Sequence, residues 1–153
     1  MPTPFPPKLK LHHRTPSWIP DGETFHIRIR IDHAQLIPLT DATLAAALLD
    51  SVRFFHARTR WHCALFLLMP DHPPALLAFP PSSAMSRPIG EWKKYHTLHH
   101  HVVWQDGYFD HRIRDAKEFE EKTVYIRHNP FVKSLCSRPE DWLWFIDTQS
   151  LDP

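Results

Sequence analysis

The segment Glu23-Thr-Phe-His-Ile-Arg-Ile-Arg-Ile31 decides the fold, because its residues alternate between two chemical classes. Aromatic or aliphatic side chains occupy every odd position from Phe25 to Ile31, and polar or charged side chains occupy the even positions. A period of two residues is typical of a β-strand whose two faces have different surroundings. The segment therefore predicts a strand with one buried face.

The chain predicts a β-hairpin further on. Residues 61–68 and 74–79 are apolar, β-prone runs, and residues 69–72 have the composition of a turn. Pro73 and Pro74 stand at the start of the second run, and proline cannot donate a ladder hydrogen bond. We therefore expect the second strand to start late or to lie at an edge of the sheet.

Three segments have the spacing of apolar residues that a helix requires. Asp41 and Asp115 each precede one of them, and aspartate is a preferred N-cap residue. Since the residue before a proline avoids the helical region, we expect the last helix to end before Asn129-Pro130. The predicted helices span residues 42–56, 86–100 and 116–128, a short strand spans residues 109–114, and the tail with Trp142, Trp144 and Phe145 is expected to pack on the sheet.

The order of these elements indicates the α+β class, specifically a ferredoxin-like sandwich in which helices pack on an antiparallel sheet. The 153 residues are enough for one domain. Residues 1–20 are rich in proline, which predicts an extended N-terminal arm. We predict a single domain over residues 21–148.

The composition excludes several classes of protein. With 18 Lys and Arg against 17 Asp and Glu, the net charge of +1 means that any contact with nucleic acid has to be local. Cys63 and Cys136 are too few for a disulfide scaffold or a four-thiolate zinc site. No apolar run approaches the roughly 18–20 residues of a membrane span. We expect a cytoplasmic protein without a membrane partner.

A few polar residues are candidates for chemistry. His72 follows the turn at residues 69–71 and precedes a buried strand, which would hold its ring rigidly. Tyr125 and Asn129 are four residues apart in the last helix and so share a face. A tyrosine can act as a covalent nucleophile where a cation or metal polarises its target. A structural role in the core is the alternative for each, and His99–His101 is interpreted as a solvated helix end.

Four short motifs follow one another between residues 69 and 144, and their order along the chain is informative. They are Met-Pro-Asp-His at residues 69–72, Trp-Gln-Asp-Gly-Tyr-Phe-Asp-His-Arg-Ile-Arg at 104–114, Tyr-Ile-Arg-His-Asn-Pro at 125–130 and Arg-Pro-Glu-Asp-Trp-Leu-Trp at 138–144. This order resembles the IS200-like transposases, specifically the REP-associated tyrosine transposases, over residues 20–146. The resemblance implies a single-strand DNA nuclease fold of the histidine-hydrophobe-histidine (HUH) type.

In that family, two histidines one residue apart on the hairpin hold a divalent metal such as Mg²⁺ or Mn²⁺. The resemblance implies that His72 is the first metal ligand, that Asn129 can complete the metal site, and that Tyr125 is the catalytic nucleophile. Pro74 stands where the second histidine belongs, and it has no donor atom for a metal. Two residues remain open as substitute ligands, Asp71 and His111.

The resemblance implies a transposase that binds single-stranded or hairpin DNA and cleaves and rejoins it through a covalent 5′-phosphotyrosine intermediate. The alternative is a catalytically impaired DNA-binding or regulatory module on the same fold. A third hypothesis is a small ferredoxin-like enzyme or ligand-binding domain unrelated to DNA. Monomer and homodimer are both open. Cations interleaved with aromatic residues suit single strands or hairpins, and the predicted DNA-binding residues are Arg87, Lys93, Lys94, Arg112, Arg114 and Arg127.

Overall fold

The computed structural model describes residues 23–82 and 84–151, except for the side chains of Gln149 and Ser150. The arm predicted for residues 1–20 lies outside the described residues. The strands are β1 (Thr24–Arg28), β2 (His62–Leu67), β3 (Pro74–Ala78), β4 (Phe109–Arg112) and β5 (Phe145–Asp147). The helices are α1 (Ala42–Ala57), α2 (Ser86–His100), α3 (Ala116–Val132) and the short α4 (Thr148–Leu151).

The five strands form one antiparallel sheet in the order β4-β1-β3-β2-β5. Its first four members and the helices between them follow the ferredoxin-like βαββαβ arrangement. The predicted α+β ferredoxin-like sandwich is therefore confirmed. Strand β5 pairs with the free edge of β2, so the expectation that the tail packs on the sheet is also confirmed.

Helices cover both faces of the sheet. Helices α1 and α2 share a buried cluster with one face, in which Trp92 of α2 packs with Ile27 and Phe66. Helix α3 covers the other face, where its Ile126 belongs to a second cluster with Leu76. Because strand side chains alternate, the odd residues of β1 face α1 and α2, and the even residues face α3.

Strand β3 corrects one expectation drawn from proline. It begins at Pro74 and lies at the centre of the sheet, so the prediction of a late or edge strand is wrong. Pro74 is the first residue of the strand, a position where a missing N–H group is tolerated. It pairs with Arg28, the last residue of β1, so the ladder loses little.

Helix α3 corrects a second expectation. It continues through Asn129 and Pro130 to Val132, so the prediction that it ends before Asn129 is wrong. Proline removes one helical hydrogen bond, but the Lys133 N–H still donates to the Asn129 carbonyl at 3.0 Å. Asn129 and Pro130 are both buried, and burial of their side chains favours the helix despite the lost bond. The added turn carries Asn129 and Lys133 alongside the sheet.

The predicted helix starts are confirmed. The Asp41 carboxylate accepts a hydrogen bond from the Leu44 N–H at 3.2 Å, and the Asp115 carboxylate accepts one from the Glu118 N–H at 2.8 Å. Each bond satisfies a first-turn donor that has no partner within the helix. Among the described residues, no helix has both the length and the apolar character needed to span a bilayer.

Candidate functional site

A pocket of about 470 Å³ lies between α3 and the face of the sheet that α1 and α2 leave uncovered. Its walls come from the even positions of β1, from the hairpin turn before β3, and from the C-terminal half of α3. A volume of this size is ordinary for a small-ligand site. The residues that give the wall its chemistry are His26, Arg28, Arg30, Asp71, His72, Pro74, Tyr125, Asn129 and Lys133.

The structure brings the candidate catalytic and metal-ligating residues into this one pocket. Tyr125 and Asn129 project from successive turns of α3, and His72 comes from the hairpin turn. Tyr125 is 62% exposed, whereas Asn129 and His72 are buried. The phenol is therefore accessible to a large solute, while the imidazole and the amide belong to the buried wall.

The neighbouring carboxylate orients the His72 ring. Nδ1 of His72 lies 2.7 Å from Oδ1 of Asp71, and Oδ2 of Asp71 lies 3.4 Å from Nη1 of Arg30. An ionised carboxylate only accepts hydrogen bonds, so Nδ1 carries the proton and Nε2 of the neutral ring keeps its lone pair. Burial lowers the pKa of His72, although the bond to Asp71 opposes this effect. Partial burial raises the pKa of Asp71, but the hydrogen bond and charge of His72 and the charge of Arg30 outweigh it and lower the pKa overall.

A second imidazole on the same wall, His26, was missed by sequence reasoning. The ring is 4% exposed and makes an edge contact with Phe109, with 5.8 Å between ring centroids. Burial, followed by the charges of Lys122 and Arg28, lowers the pKa of His26 to about 4, so the ring is neutral at neutral pH. The signal available in the sequence was the alternation of β1, which gives His26, Arg28 and Arg30 a common face.

The pocket has an excess of positive charge. Arg28, Arg30 and Lys133 line it, and Asp71 is the one carboxylate among its described lining residues. The guanidinium of Arg28 lies 4.4 Å from the centroid of the Phe109 ring. Both lining histidines have lowered pKa values, so they are neutral and add no charge at neutral pH. The site therefore attracts anions.

The predicted DNA-binding cations of α2 lie on the other side of the sheet from this pocket. Arg87 pairs with Glu91 at 3.5 Å, and Lys94 is exposed. The Lys93 ammonium donates to the carbonyl of Gln105 at 2.9 Å and to that of Gly107 at 2.8 Å, which fixes the loop before β4.

The other three predicted cations also lie outside the described lining of the pocket. The Arg127 guanidinium stacks 3.9 Å from the Phe145 ring and joins α3 to β5. Nε of Arg112 lies 3.2 Å from Glu23, and Nε of Arg114 lies 3.2 Å from Glu118. The sequence shows where cations lie near aromatic residues along the chain, but it does not show which surface of the fold they occupy.

The donor atoms at the pocket do not fit a divalent metal. Within the described part of the chain, no three His, Cys, Asp or Glu side chains are arranged to hold one. Of the positions that the resemblance assigns to the metal site, His72 and Asn129 supply two donors, and Pro74 supplies none. Magnesium in proteins is usually held by carboxylate or phosphate oxygens, and nearby guanidinium groups repel a dication.

The two substitute ligands that the sequence left open already have partners. Both oxygens of Asp71 face partners, one toward His72 and one toward Arg30. Nε2 of His111 lies 2.7 Å from a carboxylate oxygen of Glu118. The backbone N–H of Arg114 and the bond to His111 lower the pKa of Glu118 to about 2, so this carboxylate stays ionised and holds the ring.

Comparison with known proteins gives a likeness in fold. No family model matches the chain, and no curated protein sequence does. Among solved structures, a REP-associated tyrosine transposase bound to a REP hairpin matches with a TM-score of 0.71 and 18% sequence identity. The match covers 86% of this chain and 80% of that one. The resemblance to the REP-associated tyrosine transposases is thereby confirmed at the level of the fold.

Proposed function

We propose that this chain binds single-stranded or hairpin DNA at the pocket between α3 and the sheet. The observation that carries the proposal is the convergence of Arg28, Arg30 and Lys133 on one concave site. Guanidinium and ammonium groups are the usual partners of DNA phosphates. The fold supports the same function, because the matching transposase was solved with a DNA hairpin.

The shape of the site favours an unpaired strand over a duplex. Its volume of about 470 Å³ suits a single nucleotide unit, and the exposed ring of Tyr125 offers a surface on which a base can stack. A base inside a duplex has to leave its stack at a cost of a few kcal/mol before it can enter such a pocket. A hairpin with an unpaired tail is the matching substrate.

Binding is tested with a library of DNA hairpins that carry randomised single-stranded 5′ tails. The best binder is then compared with a blunt duplex of the same stem by fluorescence anisotropy. We expect the tailed hairpin to bind more tightly and its affinity to fall with increasing salt. If every hairpin binds no more tightly than the non-specific range of about 10⁻⁴–10⁻⁶ M, the proposal is contradicted.

Cleavage of the bound strand by Tyr125 is a second candidate function. It is favoured by the presence of an exposed phenol in the same pocket as the oriented Asp71–His72 pair. In this step the Tyr125 oxygen forms a bond to phosphorus and the bond from phosphorus to the 3′ oxygen breaks. The phenol loses its proton, and the leaving oxygen takes one up as a 3′ hydroxyl. Of the residues that the resemblance assigns to a divalent metal, the pocket holds only His72 and Asn129.

Cleavage is tested by incubating a 3′-labelled oligonucleotide with the protein, in Mn²⁺ and in EDTA, before denaturing electrophoresis. An active site gives a covalent adduct with the wild type and none with Tyr125→Phe. Because Tyr125 is largely exposed, this substitution should leave folding unchanged. The lack of an adduct with the wild type in both conditions would reject cleavage and leave a DNA-binding module.

A further inference from the structure

Arg28 stands opposite the residue that interrupts the implied metal site. The register of β1 and β3 pairs Arg28 directly with Pro74. Side chains of directly opposed residues share a face, with Cβ atoms about 4.5–5.5 Å apart. Both residues line the pocket. A fixed positive charge therefore lies beside the place where the resemblance puts a second metal-binding imidazole.

The guanidinium of Arg28 is both positioned and available. Phe109 pairs with Arg28 across β1 and β4, and the guanidinium lies over its ring at 4.4 Å. Stacking on an aromatic ring holds the planar group in place. Among the described residues, the guanidinium of Arg28 makes no hydrogen bond or ion pair, so its N–H donors remain for a ligand.

We propose that Arg28 binds a DNA phosphate where the resemblance places the divalent metal, and that DNA binding at this pocket needs no metal ion. The inference rests on the proposed function. A guanidinium can donate two parallel hydrogen bonds to a phosphate and supplies fixed charge, which replaces the attraction of a metal. Arg30 and Lys133 add to the positive field of the pocket. The donor atoms of the pocket do not fit a metal, and this also favours phosphate binding without one.

The first test compares DNA affinities with and without metal. The selected tailed hairpin is titrated at one ionic strength in MgCl₂, in MnCl₂ and in EDTA, and we expect the same Kd in all three. Arg28→Ala should weaken binding about tenfold to a hundredfold, because charge-assisted hydrogen bonds are lost. The slope of log K against log salt should decrease by about 1.

Matched variants separate this role from a structural one. Arg28→Met keeps the apolar stem over Phe109 and removes the charge, so it should lose affinity while melting like the wild type. Arg58→Ala removes a similar stacked guanidinium, 4.7 Å from the Phe54 ring at the end of α1, and should bind normally.

Two results would overturn the inference and leave the proposed function standing. One is a loss of DNA binding in EDTA that Mg²⁺ or Mn²⁺ restores. The other is wild-type affinity and salt slope in folded Arg28→Met. Failure to bind the hairpin in every condition would instead contradict the proposed function itself.

Discussion

Pro74 is the residue that separates this pocket from a site with two histidines one residue apart. Since Pro74 follows His72 by two residues and lines the same pocket, Pro74→His should place a new imidazole beside that of His72. We expect Mn²⁺ to stabilise Pro74→His and so to raise its melting temperature. At a metal concentration tenfold above Kd, the free energy of unfolding should increase by about 1.4 kcal/mol. The wild type and Pro74→Ala should show no shift. Equal stabilisation of all three by Mn²⁺ would contradict our interpretation of the donor set.

Two buried histidines should make stability depend on pH. Burial is the main cause that lowers the pKa of His26 to about 4, and burial together with His100 and His99 lowers that of His96 to about 3. Both titrate near 6.5 in the unfolded chain. Below that pH the unfolded chain therefore binds more protons than the folded one, and the free energy of unfolding decreases as pH falls.

The free energy of unfolding should decrease from pH 6.5 down to about pH 4 through His26, and to a lower pH through His96. Its slope is at most about 1.4 kcal/mol per pH unit for each histidine. Denaturant unfolding across this range measures it, and His96→Gln, which does not titrate, should have a shallower dependence than the wild type. A stability that is constant or rises toward low pH would show that these rings are not buried in the neutral form.

The packing of α1 on α2 includes a buried polar network around Ser51. Its hydroxyl donates to the Leu48 carbonyl at 2.7 Å, accepts from Nε1 of Trp92 at 2.7 Å, and lies 2.6 Å from Nε2 of His96. A hydroxyl has one proton, so Nε2 of His96 is the donor in the last contact. Nδ1 of His96 then accepts from Nδ1 of His100 at 3.0 Å. The network fixes the tautomer of both rings.

Ser51→Ala should strongly weaken this contact between helices. The substitution leaves the N–H groups of Trp92 and His96 buried without a partner, and each such group costs about 1–3 kcal/mol. We expect a loss of about 2–6 kcal/mol in denaturant unfolding. Ser82→Ala, at an exposed position, is the control and should change stability by less than about 0.5 kcal/mol. A similarly small change for Ser51→Ala would show that the network contributes little.

The helix caps were predictable from sequence, whereas the effects of proline were not. Asp41 and Asp115 satisfy donors within their own first turn, so their role depends on neighbouring residues alone. A proline in a helix or strand loses a backbone hydrogen bond, and tertiary packing decides whether the element forms despite that loss. Pro130 is buried within α3, and Pro74 starts a strand whose partner β1 ends beside it. Both depend on contacts between distant parts of the chain.

At the scale of the whole molecule, the order of elements was enough to predict the ferredoxin-like sheet, because that topology has few alternatives. The pocket could be predicted only in part. Tyr125 and Asn129 share a helix face, which their spacing shows. The meeting of Arg28 and Arg30 with Lys133 depends on which face of β1 helix α3 covers, and no local pattern contains that information. The cations of α2, which local composition predicts as DNA-binding residues, lie across the sheet from the pocket.

DNA binding on the α3 face is the claim on which the proposed function depends. Two charge-matched double variants test it, Arg30→Ala/Lys133→Ala at the pocket and Arg87→Ala/Lys94→Ala on α2. Each removes one arginine that is paired with a carboxylate and one exposed lysine.

The decisive measurement is the affinity of both proteins for the selected tailed hairpin across a range of salt concentrations. We expect the pocket variant to bind at least about tenfold more weakly, with a salt slope reduced by about 1.4–1.8, and the α2 variant to bind within about twofold of the wild type. Full affinity in the pocket variant together with a large loss in the α2 variant would contradict DNA binding on the α3 face.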